Sequence, residues 1–199
     1  MAPVPIKSSN VKWFDPISLK FGFAGLAEED AISIVRRITR DQFAPTLSYT
    51  NQCLYVVRLR GSVAVAYGDS FSPVLYIGEG DASNRIHGHS IWLASLLQSV
   101  PNLSVDIHIA DIRRQNHTSL CEYVEADMIR WFYEKYGMLP WFNQQRERSK
   151  EEQYDYEPDL EAKLRSMLNV GSGNSFLWAI RPTHNNQDAY AKYAKNSRE

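Results

Sequence analysis

The sequence contains only two cysteines in 199 residues, and neither belongs to a CxxC pair. A disulfide framework or cysteine-based zinc knuckle therefore has no support, and Cys53 and Cys121, each set in an apolar run (QCLYVV and SLCEYV), read as reduced core residues. Long apolar runs are also missing; none approaches the roughly 20 residues a membrane span requires. The start, MAPVPIKSSNVKWF, lacks the continuous apolar stretch of an export signal. The expectation is a cytoplasmic protein that does not engage a membrane. No glycine-rich loop ending in Gly-Lys-Ser or Gly-Lys-Thr occurs, and no GxSxG elbow, so nucleotide-dependent and serine-hydrolase chemistries have no motif to rest on.

An excess of positive charge is the last absence. Lysine and arginine number 22 against 23 aspartates and glutamates, a formal net charge of -1. Affinity for a phosphate backbone comes largely from cationic side chains that displace condensed counterions. A nucleic-acid partner would therefore have to be met by local patches: Arg36, Arg37 and Arg40 in IVRRITR, Arg113 and Arg114, the run 146–150, and Arg181, Lys192, Lys195 and Arg198 near the end.

What is present fits one globular core with additions. Apolar residues make up 44% and charged residues 23%, an ordinary folded composition. After an extended start, EEDAISIVRRI has helical spacing and FAPTLSYTN reads as a loop. CLYVVRL and VLYIG are β-branched and aromatic runs typical of buried strands. RGSVAVAYGDSFSP lies between them and supplies Gly61, Gly68 and Pro73 for turns, so the pair reads as a hairpin with a decorated connection. ASNRIHGHSIWLASLLQSV predicts a helix despite Gly88, LSVDIHIADI alternates like a half-buried strand, and LCEYVEADMIRWFYEKY predicts a helix stopped by Gly137. A charged connection then leads into another helix, and FLWAIRP is a late strand. The expected class is α/β with α+β packing: a small, mainly antiparallel sheet of three core strands flanked by helices. Residues 53–143 would form the core, 1–52 an N-terminal extension that packs on it or forms an arm, and 144–199 a C-terminal elaboration.

Several polar residues fall on these elements in a suggestive order. Tyr55 and Tyr76 lie on adjacent hairpin strands, so their hydroxyls can converge if both point to one sheet face. Arg85 and His89, four residues apart, project from one helix face. Glu125 is a carboxylate on the later helix, and Asn143 closes the segment. The bland readings are packing tyrosines, a helix-surface glutamate and a turn asparagine. His87 and His89 form an HxH pair, but the following Ser-Ile-Trp adds none of the further ligands a hydrolytic zinc site needs. His108, His117 and His184 read as polar surface or strand-end residues.

Taken together, the order resembles the GIY-YIG nucleases. Leu54 and Tyr55 stand for the first motif, with Cys53 in the place of its glycine, and Tyr76, Ile77 and Gly78 give the second unchanged. Arg85, His89, Glu125 and Asn143 follow in the family's order. Arg85 stands about one residue early, and the long inter-motif segment is similar to that of restriction-type members. The resemblance implies a metal-dependent endonuclease that hydrolyses double-stranded DNA. Glu125 would hold Mg²⁺ or Mn²⁺, Tyr55 or Tyr76 would serve as general base, Arg85 as phosphate clamp, His89 as partner of the base and Asn143 as a brace. Arg85 and the cation would be expected to lower the tyrosine pKa. A single site cutting both strands implies a homodimer or sequential nicks. Two alternatives are a catalytically silent nucleic-acid-binding module of the same fold and a small-molecule or protein-interaction domain whose tyrosines merely pack.

Overall fold

A computed structural model of the chain describes residues 4–20, 25–43, 53–61, 63–68, 70–100, 103–113, 120–144, 154–169 and 178–180. Strands β1 (Val4–Ile6), β2 (Val11–Trp13) and β3 (Ile17–Lys20) precede helix α1 (Glu28–Phe43). The middle of the chain forms β4 (Cys53–Leu59), β5 (Val63–Ala66), β6 (Phe71–Ser72), β7 (Val74–Gly80), α2 (Ala82–Ser99), β8 (Ser104–Ile112) and α3 (Leu120–Tyr136). Strand β9 (Tyr154–Tyr156), helix α4 (Pro158–Leu168) and strand β10 (Trp178–Ile180) complete it. The protein is a mixed α/β chain whose main sheet is antiparallel.

That main sheet runs β2-β8-β4-β7, with β3 also paired to β8. Its centre is β4, where six of the seven residues in CLYVVRL are buried. Covered on both faces, such a strand has no polar alternation to keep, which explains its continuous apolar run. The sheet has five strands rather than the expected three, because β2 and β3 both align antiparallel along β8, Val11 opposite Ile112 and Ile17 opposite Ile107. The N-terminal segment thus packs on the core: Leu19 is fully buried, and β1 pairs in parallel with β9, some 150 positions away in sequence. The connection between β4 and β7 is more than turns. Its strands β5 and β6 build a second sheet with β10, in the order β10-β5-β6.

The helices stand where the periodicity predicts. Asp81 caps α2 by accepting from the Asn84 amide at 3.1 Å. Helix α3 ends at Gly137, whose φ of +69° is the left-handed turn-off for which glycine is suited. Helix α1 packs along α2, while α3 packs against β4, β7 and α4. Cys53 and Cys121 are both buried in the core, and neither is in a disulfide. No described helix is long and apolar enough to cross a membrane. All but Phe43 of the expected loop FAPTLSYTN, together with Arg114, His117, the run 146–150, and Arg181, His184, Lys192, Lys195 and Arg198, lie outside the described residues.

Candidate active site

The hairpin of β4 and β7 sets the site. In its register Tyr55 faces Gly78 and Val57 faces Tyr76. Directly opposed residues project to the same side of a sheet, so both tyrosines and Gly78 share one face. The missing side chain at Gly78 is what makes room. A Cβ there would lie 2.4 Å from a Tyr76 ring carbon and 2.6 Å from both Cζ and Oη of Tyr55. Only glycine lets the Tyr55 ring cross the strand and stack beside Tyr76, with ring centroids 5.7 Å apart. His89 closes the cluster from α2, its ring 4.5 Å from that of Tyr76. Its Nε2 lies 3.1 Å from the Tyr55 hydroxyl.

Burial holds Tyr55 protonated and His89 uncharged. Tyr55 is 1% exposed, and its pKa is pushed far above the ordinary phenol value, first by burial, then by the Tyr76 phenol through charge and hydrogen bonding. Arg85 pulls it down and Glu125 pushes it up further, but neither outweighs burial. The expectation that Arg85 would leave a lowered tyrosine pKa is therefore corrected: in the protein alone, desolvation of the phenolate wins. His89 moves the opposite way, its pKa lowered to about 4 by burial and then by the Arg85 charge. At neutral pH the imidazole is uncharged. It accepts the Tyr55 proton when Nδ1 carries the ring hydrogen, and donates to the phenol oxygen in the other tautomer.

Arg85 rises from the first turn of α2, its backbone amide bonded to the Asp81 carbonyl at 2.9 Å. Its side chain is 58% exposed and lies 3.9 Å from a Glu79 carboxylate oxygen. Gly80, with φ of +111°, bends the chain between β7 and α2, and a Cβ there would stand 3.5 Å from Arg85 Nε. The guanidinium is thus open to solvent while its charge still reaches Tyr55 and His89. Glu125 sits on the buried side of α3 at 7% exposure, near enough for its charge to act on the Tyr55 hydroxyl. Among the described residues no three His, Cys, Asp or Glu side chains gather as a metal-holding cluster.

Asn143 does something more specific than bracing. Strand β7 is the last in the sheet, and its outer edge needs partners. The Asn143 side chain supplies both at Ile77: its Oδ1 accepts from the Ile77 amide at 3.0 Å and its Nδ2 donates to the Ile77 carbonyl at 2.8 Å. The Phe142 amide bonds to the Leu75 carbonyl at 3.0 Å. One asparagine thereby imitates a neighbouring strand at the residue between Tyr76 and Gly78. It is a positioning residue.

Tyr55, Tyr76 and His89 are in contact, Arg85 and Glu125 act on them through charge, and Asn143 holds the strand beneath. Sequence reasoning missed two further features. Glu79 pairs with Arg85; its proximity to that arginine in sequence was the available signal. An aromatic run extends outward from His89, through Trp92 at 5.6 Å to Phe142, stacked at 3.9 Å, and on to Trp141 at 5.0 Å. That run joins residues fifty positions apart, which no local pattern reveals. His108, expected at a surface or strand end, is mid-strand on β8 opposite Val56, its pKa lowered by burial and Arg58. Comparison of the chain with known protein families, curated proteins and solved structures finds no match.

Proposed function

We propose that the chain is a metal-dependent endonuclease of the GIY-YIG type, a stand-alone or restriction-like enzyme that cuts double-stranded DNA. The observation that carries this reading is the convergence of Tyr55, Tyr76 and His89 in one cluster, 3.1 Å between Tyr55 Oη and His89 Nε2, under the charges of Arg85 and Glu125. Phosphodiester hydrolysis needs a water relieved of a proton, charge stabilisation at the phosphoryl oxygens and help for the leaving oxygen.

Those tasks divide among the residues. Arg85, exposed and cationic, meets the phosphate, and substrate competes with Glu79 for its guanidinium. A phenol with so high a pKa is not a free phenolate, so Tyr55 works as a relay: it takes a proton from the attacking water as its own passes to neutral His89 at Nε2. The new bond is from the water oxygen to phosphorus, and the bond to the 3′ oxygen breaks with inversion. Tyr76 packs beside the phenol, ring centroids 5.7 Å apart.

A divalent ion fits the donor chemistry. Glu125 is a buried carboxylate whose charge reaches the Tyr55 hydroxyl, and Mg²⁺ typically takes one or two protein carboxylates and completes its shell with water and phosphate oxygens. When bound, Mg²⁺ or Mn²⁺ would supply positive charge to the phosphoryl and leaving oxygens. Glu125 would hold it.

Incubating the protein with supercoiled plasmid and Mg²⁺, beside Glu125→Ala and Arg85→Ala, tests the reading. Mg²⁺-dependent nicking lost in both variants is the expected result. Retention of DNA without cleavage by the parent protein would replace the enzyme by a silent binding module, and neither cleavage nor retention would leave only packing tyrosines.

A further inference from the structure

Helix α2 presents more than the face that carries Arg85 and His89. His87 and Ile91, also four residues apart, share a second face, which looks across an open groove to α1. The groove has a volume of roughly 490 Å³, and its walls include Arg36, Arg37, Arg40, His87 and Ile91 against a single carboxylate, Glu29. Arg37 and Arg40 are exposed. Arg36 is fixed in place, its Nε donating to the Ser90 hydroxyl at 3.0 Å, and the fully buried Ser90 donates in turn to the His87 carbonyl at 2.7 Å. Ile91, at 53% exposure, is one of three large apolar side chains left open to solvent among the described residues. In a chain of net charge -1, three arginines around one groove, against Glu29 and the Asp41 carboxylate 3.5 Å from Arg40, are a local excess of positive charge.

Gly88 supplies an independent observation. At 3.6 residues per turn it lies on the surface between the His87 face and the His89 face. Glycine within a helix costs about 1 kcal/mol relative to alanine, so packing or function should explain it. Packing does not: a Cβ at Gly88 would meet no atom within 4 Å. The helix therefore carries a bare stretch of backbone on the ridge that separates the tyrosine cluster from the arginine groove. Close approach of another molecule's backbone is the usual use of such a position.

We infer that the groove between α1 and α2 holds the sugar-phosphate backbone of DNA, which crosses α2 at Gly88 on its way to Arg85. This rests on the nuclease reading and names where that enzyme grips its substrate beyond the reacting phosphate. Arg37 and Arg40 contact phosphates directly, Arg36 fixes the wall, and Ile91 lies against deoxyribose carbons. An acidic protein segment would satisfy the charges, but it has no need of the bare ridge that leads to the tyrosines.

The test is the salt dependence of binding to a labelled 30-base-pair duplex in EDTA, where nothing is cut. It compares the parent chain, an Arg37→Ala/Arg40→Ala double variant and Gly88→Gln. Each lost phosphate contact should flatten the plot of log affinity against log salt by about 0.9, so the double variant should lose about 2 from the slope. Gly88→Gln should bind at least about tenfold more weakly while its thermal midpoint rises, because glutamine is the better helix former. An unchanged slope in the double variant, or full affinity in Gly88→Gln, overturns the inference. Retention of polyglutamate in place of duplex, lost in the double variant, overturns it in favour of an acidic protein partner. Plasmid nicking by the same preparations keeps the two claims apart. Nicking with an unaltered slope removes the groove alone, whereas a flattened slope without nicking by the parent removes the nuclease alone.

Discussion

The face of α2 that carries His89 and the face that carries His87 handle charge in opposite ways. On the first, burial outweighs every nearby charge: Tyr55 is held protonated and His89 uncharged, and one exposed guanidinium stands at the rim. On the second, Arg37 and Arg40 stay in solvent around an open groove. The buried face can tune proton affinity but gains little from mobile ions, whereas the open face can grip a polyanion but cannot shift a pKa far. On the proposed reading, one helix with a bare glycine between the two faces would separate chemistry from grip. Changes on the first face should act on stability and rate and be nearly blind to salt, while changes on the second should act on salt-dependent affinity.

The largest break expected is at Gly78. Gly78→Ala drives a methyl group into both tyrosine rings, at 2.4 to 2.6 Å. Overpacking of this kind costs about 3 kcal/mol, so the urea midpoint should fall sharply and nicking should disappear together with the aromatic signal of the cluster. A midpoint within error of the parent would mean that the hairpin register is not as described.

Asn143 sharpens the comparison one step further from the chemistry. Asn143→Ala leaves the Ile77 amide and carbonyl without their side-chain partner in a buried setting, a loss of about 2 kcal/mol. Asn143→Asp keeps the acceptor for the amide and loses the donor to the carbonyl. Chemical denaturation should rank the parent as most stable, with both variants below it. Equal stability of all three would show that the edge of β7 needs no such clasp.

A third comparison uses pH. His89 titrates near 4 in the folded chain against an ordinary 6.5. Between those values the unfolded chain binds a proton that the folded chain does not, so this contribution is complete above pH 6.5 and is lost as pH falls toward 4. His89→Gln should therefore lose less stability than the parent on going from pH 7 to pH 4.5, as read from urea midpoints. An identical loss in both would place the titration elsewhere.

Much of this architecture is legible in the sequence, for reasons that differ by element. CLYVVRL and VLYIG reveal their strands because a fully buried strand has little choice of residue, and α3 announces itself by periodicity and by Gly137. That Tyr55, Tyr76 and His89 meet, within reach of the Arg85 and Glu125 charges, could be anticipated because each falls at a fixed place on such an element. Strands β2 and β3 could not be read. Three or four residues interrupted by Asp15 and Pro16 carry no period, and their partner, β8, lies about ninety positions away. The raised Tyr55 pKa of the protein without a cation could not be read, because a neighbouring arginine is visible in sequence and the extent of burial is not. Arg36, Arg37 and Arg40 were visible as a patch, but the groove needs α1 laid along α2. Gly88 acquires meaning only when the space around it is seen to be empty.

The account depends most on the pair formed by Tyr55 and His89. Tyr55→Phe removes one oxygen and keeps the ring that fills the space beside Gly78, so single-turnover nicking by this variant isolates the hydroxyl. With a thermal midpoint close to that of the parent, the rate should fall by about 10²- to 10⁴-fold. A rate within twofold of the parent would contradict the account.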